Sequence, residues 1–69
     1  MNKITITVNG KEMEIEENAT LADLLTHLNM KPMGIAAEVN GALVSSTDFG
    51  ETKLNNGDET LLVKMVGGG

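Results

Sequence analysis

Asn9 and Gly10 lie between two stretches that alternate apolar and polar residues: Ile4, Ile6 and Val8 before them, Met13 and Ile15 after. An Asn-Gly pair tolerates the positive φ angles of a two-residue type I′ turn, whose twist matches the strands it joins. Such a turn sets Ile6 opposite Met13 and Ile4 opposite Ile15. On the other face it sets Thr7 opposite Glu12, Thr5 opposite Glu14 and Lys3 opposite Glu16. A slip of one residue would turn the apolar set to solvent, so turn chemistry and hydrophobic pattern demand one register. The chain therefore opens with a β-hairpin.

A helix is predicted next, over residues 20–29. Leu21, Leu24, Leu25 and Leu28 form one apolar stripe. Thr20 is a natural N-cap, and Asp23 completes a weak capping box in the turn where the helix dipole favours an acid. Asn29 suits a left-handed stop, and Pro32 cannot continue the helix. Ile35, Ala37 and Val39 then alternate with Ala36 and Glu38, and Asn40-Gly41 offers a second tight turn into Ala42-Leu43-Val44. Ser45 to Glu51 reads as a polar loop apart from Phe49. Thr52 to Leu54 reads as a short edge strand, and Asn55 to Asp58 as a turn. Glu59 to Val66 is a nearly continuous apolar strand, the pattern of a central strand covered on both faces.

The first and last strands are the most apolar and are expected side by side and parallel, with the helix across one face. This is an α+β, β-grasp (ubiquitin-like) arrangement, a mixed sheet of four to five strands. It accounts for residues 1–66 as one domain, with 67–69 as a flexible glycine tail. A chain of 69 residues allows no second domain and buries only about 60% of its unfolded surface.

Composition narrows the function. Ten acids stand against five bases, all lysines, giving a net charge of −5. Nucleic-acid binding needs a basic face or stacking aromatics, and Phe49 is the only aromatic residue. No apolar run approaches a membrane span, and no leader is expected. The absence of cysteine excludes disulfides, a thiolate zinc site and a thiol nucleophile, and fits a cytoplasmic setting. His27 lacks a catalytic partner at any familiar spacing and reads as a helix-surface residue. Glu12, Glu14, Glu16 and Glu17 read as a solvated face, and the five methionines as core filler. No catalytic residue, metal ligand or cofactor is expected.

The last strand leads directly into Gly67, Gly68 and Gly69. Glycine stabilises a strand poorly, so its use here points elsewhere. Lacking Cβ atoms, the segment can thread a narrow channel and leave a terminal carboxylate unhindered. That carboxylate becomes an electrophile once adenylated.

These features together resemble the ThiS-type sulfur carriers of thiamine biosynthesis, within the superfamily of ubiquitin and the small subunit of molybdopterin synthase. The resemblance spans essentially the whole chain. It rests on Asn40-Gly41-Ala42-Leu43-Val44, Phe49, Leu54-Asn55-Asn56-Gly57-Asp58 and Val66-Gly67-Gly68-Gly69. It implies a carrier that is not itself an enzyme. An E1-like adenylyltransferase, holding ATP and magnesium, would activate Gly69. A sulfur-donor enzyme would convert the adenylate to a thiocarboxylate, and a thiazole synthase would accept the sulfur. Two alternatives stay open: a molybdopterin-type or other sulfur carrier, and a ubiquitin-like modifier or interaction module.

The sequence departs from the family pattern at two places. Ser45-Ser46 stands where relatives often carry Pro-Arg, and Thr60 where they carry an aliphatic residue. Thr60 also creates a conflict. Pattern alone turns Leu61, Val63 and Met65 inward, because Thr60 and Lys64 spoil the alternate face. The resemblance turns positions 60 and 62 inward, leaving Leu61, Val63 and Met65 as an exposed patch rimmed by Asp58 and Glu59. We follow the resemblance and expect these five residues to dock the adenylating enzyme.

Overall fold

The computed structural model describes residues 2–65. Strand β1 (Lys3–Val8) and strand β2 (Lys11–Glu16) form the opening hairpin. Helix α1 (Leu21–His27) follows, then β3 (Ile35–Val39), β4 (Ala42–Val44), a 3-10 helix (Ser46–Glu51) and β5 (Glu59–Lys64). The five strands form one sheet in the order β2-β1-β5-β3-β4. β1 and β5 are parallel, and all other neighbours are antiparallel. This is the expected β-grasp arrangement, with β5 at the centre. Val66 and the expected tail, Gly67, Gly68 and Gly69, lie outside the described residues.

The hairpin has the expected register, with Ile6 opposite Met13 and Lys3 opposite Glu16. Asn9 and Gly10 both have positive φ, 51° and 85°. Asn40 and Gly41 repeat this at 53° and 86° between β3 and β4.

Helix α1 has seven residues because its ends are closed chemically. The Thr20 side chain accepts from the Asp23 N–H at 3.1 Å, and the Asp23 carboxylate accepts from the Thr20 N–H at 3.0 Å. Asn29 takes φ 60°, and the Met30 N–H reaches back to the Leu25 carbonyl at 2.8 Å, closing the C-terminus in a Schellman motif. Leu21, Leu24 and Leu25 pack onto Ile6, Ile15, Ile35, Ala37 and Leu62. Leu28 is only half-buried, at the margin of that core.

Three expectations change. The polar segment 45–51 is a 3-10 helix rather than a loop, because Phe49 must reach the core, where it is fully buried. Thr52 to Leu54 is not an edge strand. It lies against the start of the helix instead: the Leu21 N–H donates to Thr52 at 2.8 Å and the Leu54 N–H to Ala19 at 2.9 Å. Among the methionines, Met13 and Met30 pack against the core, but Met33 and Met65 are exposed.

A candidate docking face at the root of the C-terminal strand

Strand β5 is held along both edges by residues of the two hairpin turns. On the β1 side, the Asn9 N–H donates to the Thr60 carbonyl at 3.0 Å. The Asn9 side chain then continues the ladder where β1 has turned away. Its Nδ2 donates to the Leu62 carbonyl at 3.1 Å, and its Oδ1 accepts from the Leu62 N–H at 2.7 Å. On the β3 side, the Asn40 N–H donates to the Glu59 carbonyl at 2.7 Å, and Asn40 Oδ1 accepts from the Glu59 N–H at 2.9 Å. Asn40 Nδ2 also donates to the Asp58 carboxylate at 2.9 Å. Further along, the Met65 N–H donates to the Gly34 carbonyl at 2.7 Å, which fixes the last described residue against the loop after the helix.

The two faces of β5 differ sharply. Thr60 and Leu62 point into the core, 4% and 5% exposed. Leu61 is 43% exposed and Val63 46%, and Met65 is exposed beside them. The polar Thr60 is accommodated because its hydroxyl donates to the Thr7 carbonyl at 2.8 Å, leaving no unsatisfied buried donor. The helix and the 3-10 segment both feed the inner core, so the expected cover on both faces of β5 is absent on the outer side among the described residues.

The five expected docking residues lie along β5 and its two ends rather than in one compact cluster. Leu61 and Val63 lie on the outer face, Met65 continues the strand, and Asp58 and Glu59 sit at its entry. Asp58 also orders the preceding turn, where its carboxylate accepts from the Asn55 N–H at 2.8 Å. The sequence reading missed Leu43. It pairs with Glu38 across β4 and β3, and Glu38 pairs with Leu61 across β3 and β5, so all three share the outer face. Leu43 is 76% exposed. Pairing parity carries this information, and a three-residue strand does not display it alone.

No chemistry of another kind gathers in the described residues. His27 is exposed on the helix and, with Glu14, Glu16, Glu17 and Asp23, borders a hollow of about 340 Å³ between β2 and α1. Among the described residues no group of three His, Cys, Asp or Glu side chains is arranged to hold a metal ion. No helix among them is long and apolar enough to cross a membrane.

Comparison with known proteins decides the family. The model of the ThiS family matches residues 6–69, nearly the whole chain and the terminal glycines with it. The chain belongs to the ThiS family. A crystal structure of the thiamine biosynthesis protein ThiS from Geobacter metallireducens superimposes with a TM-score of 0.81 at 28% identity, covering 96% of this chain and all of that one. The protein ycf40 of Porphyra purpurea is 33% identical across 96% of this chain and 93% of its own length. A thiazole synthase of Magnetococcus marinus is 36% identical across 93% of this chain, which spans only 20% of that enzyme. As a ThiS family member, the chain is a sulfur carrier of thiamine biosynthesis and not a catalyst in its own right. This favours the thiamine-type reading over the two alternatives.

Proposed function

We propose that the reactive atom is the carboxyl carbon of Gly69, presented by a tail that β5 anchors. The carboxylate oxygen attacks the α-phosphorus of ATP on an E1-like adenylyltransferase, and pyrophosphate leaves. A nucleophilic sulfide sulfur from a donor enzyme then attacks the acyl carbon and AMP leaves, giving a thiocarboxylate. A thiazole synthase takes up that sulfur. ATP and magnesium belong to the adenylating partner, and the carrier works in the cytoplasm. Residues 1–66 act as the folded handle. Gly67 and Gly68 supply a slim lead that threads the partner's channel.

The observation that carries this reading is the family match running through residue 69, on a chain whose central strand leads to those glycines. The similarity to a thiazole synthase supports the acceptor. Leu61, Val63 and Met65 with Asp58 and Glu59 form the surface that docks the adenylating enzyme, since an apolar patch left open on a small domain marks a partner site.

Intact mass tests the chemistry. The chain ending at Gly69 is incubated with ATP, magnesium, the adenylating enzyme of the same genome and a sulfur donor. The expected product has one oxygen replaced by sulfur at its C-terminus. An unchanged mass, or only isopeptide-linked adducts, would sink the carrier mechanism. Deleting Gly69 should abolish activation and leave the fold intact.

A further inference from the structure

The outer face of the sheet carries one feature that an apolar docking patch does not explain. Glu38 stands between Leu43 and Leu61 in a single cross-strand row, with a leucine directly opposite on each side. Its diagonal neighbours on β5 are Glu59 and Val63, and on the β4 side Gly41 and Ser45. No base stands among its direct or diagonal neighbours. Glu38 as a whole residue is half-buried in this row. Beside it lies a shallow hollow of about 460 Å³, bordered by Glu38, Glu59, Leu61, Asn9 and the turn glycines Gly10 and Gly41. Both glycines leave open space where a side chain would otherwise project.

A partner that covers Leu43, Leu61 and Val63 must also cover Glu38. Removing water from a carboxylate is costly, so the covering surface has to supply hydrogen-bond donors or lose affinity. With Glu59 diagonal to Glu38 and no base beside them, a cation answers the charge as well. We infer that the adenylating enzyme docks on this face with a lysine or arginine that enters the hollow and pairs with Glu38. Glu38 is then the charge-selecting position of the interface, and Leu43 belongs to its apolar part. The inference rests on the docking proposed above and adds the chemistry of the partner's contact. It also explains how an apolar patch can be selective: a partner with a neutral or acidic residue at this point is rejected by the carboxylate.

Affinity for the adenylating enzyme, measured by calorimetry at low and at physiological ionic strength, tests this. Glu38→Gln keeps size and polarity on an outward-facing position, so the fold should persist. We expect it to weaken binding about tenfold at low salt and to flatten the salt dependence, with Glu38→Lys weaker still. Leu61→Ala should weaken binding while leaving the salt dependence as steep as in the parent. If Glu38→Gln binds like the parent while Leu61→Ala is impaired, the charge selection is wrong and the docking face stands. If Leu61→Ala and Val63→Ser also bind like the parent, the docking face itself is wrong, and the role of Glu38 falls with it.

Discussion

The side-chain amide of Asn9 brackets the backbone of Leu62, donating to its carbonyl at 3.1 Å and accepting from its N–H at 2.7 Å. A turn residue thus acts as the next rung of a strand that has already ended. Asn9→Gly keeps the positive φ of the turn and removes both bonds. We expect a loss of about 1–2 kcal/mol in urea unfolding, with faster amide exchange at Leu62. Unchanged exchange there would show that the amide adds nothing to the ladder.

Thr60 tests whether a buried hydroxyl is needed or only tolerated. Thr60→Val removes the donor and leaves no unpaired N–H or O–H behind. Its urea midpoint should correspond to a change of under about 1.5 kcal/mol. Thr60→Ala adds a cavity and should cost more. If Thr60→Val unfolds the protein, the hydroxyl holds the β1–β5 seam.

Phe49 is the only aromatic residue and is fully buried. Phe49→Ala should cost about 3–5 kcal/mol, most of the stability available to a domain of this size. Circular dichroism should show a largely unfolded chain, whereas Phe49→Leu should still fold. A cooperative, parent-like melt of Phe49→Ala would mean that the 3-10 segment is not part of the core.

The helix has only seven residues, so its cap carries unusual weight. Thr20→Ala should cost about 1 kcal/mol. In a domain this small that lowers the melting temperature by about 4–8 °C. Parent-like melting would place the helix's stability wholly in its leucines.

What the sequence revealed divides by distance along the chain. The helix caps were legible because Thr20 and Asp23 lie three residues apart, and the hairpin register because one two-residue turn fixes every pair up to Lys3 and Glu16. The faces of β5 were not. Thr60 counts as polar in any pattern, and the carbonyl that satisfies it belongs to a residue 53 positions away. Resemblance to a family, rather than periodicity, gave the correct face. Thr52 to Leu54 has the composition of a strand, but its hydrogen bonds go to Ala19 and Leu21. Of the candidate docking face, the β5 residues were legible from the sequence. Leu43 and Glu38 joined them only through cross-strand pairing.

The clamped central strand also has a mechanical consequence. A pull applied at Met65 along the axis of β5 would load the strand lengthwise. The hydrogen bonds to β1, β3, Asn9 and Asn40 lie across that axis. They are loaded together in shear rather than peeled one after another. A carrier built this way can be gripped and tugged by its end while the sheet behind it stays closed.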